Sequence, residues 1–198
     1  MQIDPTLLGP RDRYRWLIAC LVPRPIAWIT TQGADGVVNL APFSFFGGVT
    51  SDPMTVMVSI GRRRDGTPKD TARNLRARSE GVVHVPTRPE VHDMVASSAD
   101  LPPDASEIEA LGLPLAPSSV VAVPRLATAA VALEARVERH LEMGRGPVDL
   151  FLLEIVHLHV QDRVLVDGLP DPARLAALGR LGGSAYCDTS RPFDAPRP

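Results

Sequence analysis

Apolar and β-branched residues are grouped in short segments that Gly- and Pro-containing turns separate, which is typical of a mainly β protein. Residues 26–31 and 54–60 combine β-branched, aromatic and sulfur-containing side chains and predict strands. Residues 37–40 follow the turn sequence at 33–36 and predict the second strand of a hairpin. Further strands are predicted over 81–85, 127–142, 150–160 and 163–166.

Helices are fewer and are predicted at the periphery. Residues 11–21 place apolar side chains at helical spacing. Residues 67–78 begin with Thr67 as a helix N-cap, and Pro68 suits the first helical position. Period-two alternation favours a strand over 127–142, although its alanines also permit a helix. Short helical segments are predicted over 89–97, 104–111 and 172–178.

The stretch 41–53 is apolar yet rich in Gly, Pro and Ser, so we expect neither a plain strand nor a plain helix there. Six or seven strands that do not alternate with helices favour a small antiparallel β-barrel with peripheral helices over a doubly wound sheet. We expect a single domain over 12–190. The Pro-rich tail 191–198 is expected to be loosely ordered or to lie on a partner.

Composition narrows the class of protein. A chain of 198 residues that is 44% hydrophobic and 22% charged fits one globular domain. Its net charge of −2 argues against a nucleic-acid binder, and no apolar run reaches the ~18 residues that would span a membrane. Cys20 and Cys187 form no C-x-x-C pair, which excludes a zinc ribbon and suits a reducing compartment. The N-terminus lacks the pattern of a secretory signal, so a cytoplasmic location is predicted.

The segment 59–71 predicts an anion site. It joins the end of a strand, three arginines and the start of a helix, whose first turn offers free N–H groups and a positive dipole. Lys69 is the only lysine of a chain with 20 arginines, and it lies in that turn beside Asp70 and Thr71. These features suit a phosphate group without the spacing of a P-loop. The alternative is a solvated basic loop before an ordinary helix.

Residues 39–46 hold three of the five phenylalanines together with Asn39 and Ser44. Apolar walls with a few directed polar groups are what a flat heteroaromatic ligand requires. The alternative, which these residues alone favour, is a core corner where the aromatic rings pack against each other.

His157 and His159 lie on one face of a predicted strand, at a spacing that suits a metal ion. No cysteine, aspartate or third histidine lies near them in sequence, so we expect no metal site. A hydrogen-bonded histidine, or one that lines a cleft, is the favoured interpretation. The sequence also contains no G-x-S-x-G or H-E-x-x-H motif, and it shows no convincing pair of nucleophile and base.

Several motifs in order resemble the flavin reductase-like family, most closely the branch that contains flavoredoxin and the reductase component of nitrilotriacetate monooxygenase. The resemblance extends over about residues 12–190. It is carried by PRPIAWITT (23–31), DG (35–36), NLAPFSFF (39–46), SDP (51–53) and 61–71, and by 97–100, 179–183 and Tyr186.

This resemblance implies an FMN-binding split barrel of Greek-key type that forms a homodimer, with flavin near the subunit interface. By position, the ring system and ribityl chain would be surrounded by Thr30, Thr31, Asn39, Ala41, Pro42, Phe43 and Ser44. The phosphate and its approach would be surrounded by Ser59, Gly61, Arg64, Lys69, Asp70 and Thr71. Which of the three arginines at 62–64 turns inward is left open.

The family resemblance further implies an NAD(P)H-dependent flavin reductase that supplies reduced flavin to a partner monooxygenase. FMN is favoured over FAD because a phosphate pocket is predicted and an adenine site is not. No catalytic residue is assigned, but Arg24, His157 and Tyr186 are candidates for the nicotinamide side. The alternatives are a flavoredoxin-like FMN electron-transfer protein with little NAD(P)H turnover, and a barrel that has lost flavin.

Overall fold

A computed structural model describes residues 1–102 and 105–195. The helices are α1 (Pro10–Cys20), α2 (Asp70–Arg78), α3 (Val91–Ala96), α4 (Glu107–Leu111) and α5 (Pro172–Leu175). The strands are β1 (Arg24–Pro25), β2 (Ala27–Gln32), β3 (Val38–Phe43), β4 (Phe46–Ser51), β5 (Met54–Gly61), β6 (Glu80–His84), β7 (Leu115–Ala116), β8 (Arg125–Leu126), β9 (Val131–Met143), β10 (Val148–Val160), β11 (Leu165–Val166), β12 (Leu169–Pro170), β13 (Leu178–Arg180) and β14 (Tyr186–Asp188). Short 3-10 turns lie at Pro5–Leu7, Arg88–Glu90 and Asp162–Val164.

Seven strands form one antiparallel sheet in the order β3-β2-β6-β9-β10-β5-β4. β3 and β4 lie at opposite edges of this order, yet only Ser44 and Phe45 separate them in the chain. The sheet must therefore curl until its two edges approach each other, which gives the barrel shape. The backbone N–H of Ser59 on β5 donates to the carbonyl of Phe45, 2.9 Å away, across this junction.

The main core lies inside the curl, where α2 packs through Ala72 and Leu75 against Ile29, Phe151 and other buried apolar side chains. A second core on the other face of β2 surrounds Trp28 and Leu40 and includes Met94 of α3 and Ile108 of α4. The alternation along β2 explains this division, because Ala27, Ile29 and Thr31 point one way and Trp28 and Thr30 the other.

The mainly β prediction is confirmed, and the alternating segment 127–142 forms the long strand β9 rather than a helix. The prediction for 41–53 is wrong, because β3 continues to Phe43 and β4 begins at Phe46. Pro42 is accommodated because β3 is an edge strand, which does not need every N–H for pairing. The stretch 179–183 likewise contributes strand residues, since β13 pairs with β1 and β14.

The predicted helix at 67–78 begins three residues later, at Asp70. Thr67 is not the N-cap, because its N–H and hydroxyl both donate to Asp65 within the preceding turn. Lys69 occupies the N-cap position and makes no side-chain capping bond. Residue 104 of the predicted helix 104–111 and residues 196–198 of the tail lie outside the described residues.

The helices predicted over 89–97 and 172–178 are shorter than expected, at Val91–Ala96 and Pro172–Leu175. Among the described residues, no helix is long and apolar enough to cross a membrane. The cytoplasmic location and the bounds of the domain stay predictions.

Candidate functional site

A small cavity of about 50 Å³ lies between the N-terminus of α2 and the edge strand β3. Lys69, Asp70 and Thr71 of the α2 start form one wall, and Asn39, Ala41 and Pro42 of β3 form another. We call it the anion cavity, because free N–H groups of the first helical turn and a lysine meet there. Within residues 1–102 and 105–195, the side chain of Lys69 makes neither an ion pair nor a hydrogen bond, so its ammonium is available to a ligand.

The carboxylate of Asp70 also borders the anion cavity, but two arginines compensate its charge. Arg63 contacts Asp70 at hydrogen-bond distance, and the guanidinium of Arg73 lies 2.7 Å from the other carboxylate oxygen. Arg63 also donates to the carbonyl of Pro68, at 3.0 Å. The loop before α2 is thereby fixed, and the cavity keeps the Lys69 charge uncompensated.

Behind the anion cavity lies a buried polar network that joins β2, β3 and α2. The amide of Asn39 donates to the hydroxyl of Thr71 over 2.9 Å. Asn74, one turn further along α2, donates to the hydroxyl of Thr31 over 3.1 Å. Thr31 and Asn39 face each other across the β2–β3 ladder. The network holds the start of α2 against the sheet and so sets the position of Thr71 in the wall.

Glu107 of α4 reaches the same cavity from a buried position, where its carboxylate accepts the N–H of Leu40 over 2.9 Å. Burial raises the pKa of Glu107, and the hydrogen bond from Leu40 opposes this shift. Its protonation state therefore contributes to the charge that an anionic ligand would meet.

A second cavity, of about 400 Å³, opens beside α1, and we call it the aromatic cavity. This volume is in the usual range for small-molecule sites. Tyr14, Phe43 and Tyr186 line it together with Ser44 and Arg180. Phe45 is outside the lining but packs edge-to-face on Tyr14, with ring centroids 6.4 Å apart. The arrangement suits a flat ring that needs apolar walls and few polar contacts.

Arg24 also lines the aromatic cavity, but four of the five N–H groups of its guanidinium are already hydrogen-bonded within the chain. It donates to the carbonyls of Ile18 and Leu21 at 2.7 and 2.6 Å, and to that of Leu181 at 3.0 Å. A longer bond of 3.4 Å reaches the hydroxyl of Ser44. Arg24 is buried, so it connects the C-terminal end of α1 to the β13–β14 segment and acts on the cavity by positioning its walls.

Arg180 is the more accessible cation of the aromatic cavity. Its guanidinium lies over the ring of Tyr186, 4.4 Å from the centroid, and one nitrogen donates to the carbonyl of Gly183. This cation–π pair gives the cavity one flat face that carries positive charge.

The anion cavity and the aromatic cavity share Pro42 and Ser98 in their linings. The two cavities are therefore adjacent, and together we call them the groove, which has two chemically different ends. A ligand with a flat ring at one end and an anionic group at the other matches this groove.

The structure brings ten of the sequence-predicted residues to the groove and leaves others outside it. The ten are Arg24, Asn39, Ala41, Pro42, Phe43, Ser44, Lys69, Asp70, Thr71 and Tyr186. Thr30 and Thr31 are fully buried, and the hydroxyl of Thr30 donates to the carbonyl of Pro124. Ser59 and Gly61 of β5 line neither cavity.

Two further candidates differ from expectation. Arg63, rather than Arg64, lines the anion cavity, while Arg62 lies 3.4 Å from the buried Asp149 and Arg64 is exposed. His157 is on the surface of β10 and lines neither cavity, so the structure does not bring it to Arg24 and Tyr186.

Sequence reasoning missed the wall contributed by the segment after α3 and by α4. Ser97, Ser98, Asp100 and Glu107 border the anion cavity from there. Residues 97–100 belong to the resemblance, but nothing local showed that they would fold over a helix N-terminus 30 residues away. The buried indole N–H of Trp28 donates to Ser97 over 2.8 Å and fixes that segment.

Comparisons with known proteins agree with this geometry. The family model described as "Flavin reductase like domain" matches residues 19–170. An uncharacterized protein of Halalkalibacterium halodurans is 41% identical over 202 residues, which cover 100% of this chain and 97% of that protein.

Two solved structures share the architecture. Nitrilotriacetate monooxygenase component B from Bacillus cereus superimposes with a TM-score of 0.94 at 32% identity, over 98% of both chains. A protein of Shewanella frigidimarina, assigned as a flavin reductase with a split barrel domain, gives a TM-score of 0.85 at 20% identity over 100% of both chains. The curled seven-stranded sheet is thus a split barrel.

Proposed function

Since the chain belongs to the flavin reductase-like family, we propose that it binds FMN along the groove and reduces it with NAD(P)H. The observation that carries the proposal is that two unlike cavities lie side by side and share Pro42 and Ser98 in their walls. An oxidoreductase role fits the family. Our proposal adds the electron donor, NAD(P)H, the form of the flavin, FMN, and the acceptor of the reduced flavin.

The residues of the anion cavity fit a phosphate ester. The uncompensated ammonium of Lys69, the hydroxyl of Thr71 and the free N–H groups of the first α2 turn all donate toward it. Asn39 keeps the Thr71 hydroxyl in place by donating to it, which leaves that hydroxyl its own proton to offer the phosphate.

The aromatic cavity fits the ring system. Phe43 and the edge of β3 supply an apolar wall, and the hydroxyl of Ser44 is close to the groove. When bound, the flavin supplies a ring that accepts a hydride, which is two electrons and one proton, from a nicotinamide. Hydride transfer between stacked rings requires no acid or base, and the residues of the groove align the rings and exclude water.

Arg180 and Tyr186 are proposed as the nicotinamide side of the groove. Tyr186 offers a flat face, and the guanidinium above it offers charge to the phosphates of NADH or NADPH. Four of the five N–H groups of Arg24 are already donated to other groups of the chain, so its proposed role is to hold the walls of the cavity in place.

FMN is proposed rather than FAD because one phosphate-sized cavity ends the groove. The anion cavity of about 50 Å³ is lined by Asp100 and Glu107 as well as by Lys69. A second phosphate and an adenosine would have to pass these two carboxyl groups, which repel it when ionised.

A second copy of this chain is proposed to cover α1. Tyr14, Trp16, Leu17 and Leu21 of this segment are 43–55% exposed, and no residue of α1 is fully buried. Tyr14 and Ile18 belong to the aromatic cavity as well, so a copy that covers α1 would also close the groove. Sedimentation of the wild type and of Trp16→Glu tests this, since the wild type is expected to be a dimer and the variant a monomer.

The physiological acceptor is proposed to be a partner monooxygenase that uses reduced flavin. The support is the 32% identity with nitrilotriacetate monooxygenase component B across nearly the whole chain. Release of reduced flavin from the groove is a prerequisite for this role.

The experiment that tests the function is an absorption spectrum of the purified protein, followed by anaerobic addition of NADH and then NADPH. A bound flavin that bleaches with either nucleotide is the expected result. If added FMN is not bound at all, the proposal is wrong. If FMN is bound but neither nucleotide bleaches it, the chain is an FMN electron-transfer protein that needs a protein donor.

A further inference from the structure

Three potential metal ligands lie together on the sheet, outside both cavities. They are Glu134 of β9 and His157 and His159 of β10, and their ligand atoms all lie within 4.8 Å of one another. Glu134 and His157 are direct partners in the β9–β10 ladder. His159 is two residues along β10, so its side chain points to the same face. The separation of 23 residues explains why sequence reasoning did not connect Glu134 with the histidines.

The carboxylate of Glu134 is fully buried and strongly hydrogen-bonded. It accepts the backbone N–H groups of Ser119, Val120 and Val121 at 2.6–2.9 Å. Burial raises the pKa of Glu134, but these N–H groups and His159 outweigh it and lower the pKa to about 2. The carboxylate is therefore ionised at neutral pH, as a metal ligand must be.

One acceptor position of Glu134 is filled by an exchangeable partner. His159 donates from Nε2 to the carboxylate over 2.6 Å, while the other bonds come from the fixed backbone of 119–121. A metal ion that binds both atoms takes the place of this proton. A neutral imidazole then keeps its single proton on Nδ1, and Nε2 offers its electron pair to the metal.

His157 completes the set from the surface. Its ring centroid lies 4.8 Å from that of His159, and its side chain is exposed. Two ligands of one tetrahedral zinc ion, each at about 2.1 Å, lie about 3.4 Å apart. Rotation of the His157 side chain, which is exposed, supplies the remaining approach.

We infer that Glu134, His157 and His159 bind a divalent transition-metal ion of the zinc class. Two imidazoles and one carboxylate match the preference of such ions for nitrogen and oxygen ligands, and a fourth position stays open to water. The bound ion joins β9, β10 and the segment 119–121 through Glu134. Its first consequence is added stability of this face of the barrel.

The test uses the full chain, stripped with a chelator and titrated with Zn²⁺ by calorimetry and with Co²⁺ by visible absorption. One saturable site per chain is expected, with intense Co²⁺ bands that report tetrahedral coordination. His157→Ala and His159→Ala should each weaken Zn²⁺ binding at least ~10-fold. His92→Ala, which removes an exposed histidine on α3, should leave it unchanged.

His157 is exposed, so His157→Ala tests the site without risk to the fold. Zn²⁺ should raise the melting temperature of the wild type and of His92→Ala, but not that of His157→Ala. Absence of saturable binding, or equal binding by His157→Ala and the wild type, overturns the inference. The flavin content should be the same in all these variants, so the result is independent of the proposed reductase.

Discussion

The two ends of the groove are built in different ways. The anion cavity stands on β3 of the seven-stranded sheet and on α2, whose start is tied to the sheet through Asn39 and Thr71. The aromatic cavity is framed by α1 and by the small β1-β13-β14 sheet, which the single side chain of Arg24 connects. One end is part of the core, and the other is assembled from peripheral segments.

This difference in construction suits two different tasks, which are to hold a bound group in place and to admit a molecule that exchanges. An end that is fixed by the core suits the phosphate of a cofactor, which must be held in one position. An end made of peripheral segments suits a partner that exchanges, because those segments move at lower cost than the core does. Four substitutions test this division, each with a different expected magnitude.

The largest effect is expected for Arg24→Met, because three buried carbonyl groups lose their donor. The free energy of unfolding should fall by about 3 kcal/mol. Urea unfolding measures it, with Arg13→Met on exposed α1 surface as the control. Equal stability of the two variants would show that the aromatic end does not depend on this side chain.

Lys69→Ala should weaken FMN binding about 30-fold, through loss of the charge beside Thr71. Quenching of flavin fluorescence measures the dissociation constant. The exposed Arg64→Ala is the matched control and should bind FMN like the wild type. Riboflavin, which lacks the phosphate, should bind the wild type and Lys69→Ala equally; a preference for the wild type would contradict the assignment of the anion cavity.

Arg180→Met should raise the KM for NADH about 5-fold, while the dissociation constant of FMN stays the same. Steady-state kinetics and the fluorescence titration give the two values. Arg191→Met, at an exposed position, is the control. A parallel loss of FMN affinity would mean that the two ends of the groove are not separate.

The smallest effect is expected for Glu107→Gln and depends on pH. Burial raises the pKa of Glu107, so its carboxyl group becomes ionised only as the pH rises above the ordinary range of a glutamate. The ionised form repels the phosphate. Between about pH 5 and pH 8, FMN affinity of the wild type should therefore fall about 3-fold relative to Glu107→Gln.

The FMN affinity of the wild type is divided by that of Glu107→Gln at each pH. This ratio is independent of the titration of the phosphate itself, which is the same for both proteins. Glu109→Gln, an exposed change on the same helix, should follow the wild type. A ratio that does not change with pH would show that Glu107 stays in one protonation state.

Much of this organisation could be predicted from sequence, for reasons that are local. Period-two alternation identified β9, and the single lysine drew attention to the start of α2. The start of that helix was misplaced because Asp65 takes the Thr67 hydroxyl, a competition that capping rules do not include.

The features that the sequence did not predict depend on contacts between segments that are distant in the chain. Arg24 was expected to face a ligand, but three carbonyls from α1 and β13–β14 take its donors. Glu107 and Ser98 reach the groove only because α3 and α4 fold over β3. The resemblance placed Thr30, Ser59 and Gly61 near flavin, whereas none of these three residues lines either cavity.

The single lysine has a practical consequence. Apart from the N-terminus, Lys69 carries the only primary amine of the chain, and its side chain is partly accessible. An amine-reactive acylating reagent should therefore leave one internal mark, visible as one mass increment on one peptide. A bound phosphate ester should protect the Lys69 amine from acylation, and riboflavin should not. Occupancy of the anion cavity can therefore be followed on the wild-type protein by mass alone, without an absorption signal, an activity assay or a substitution.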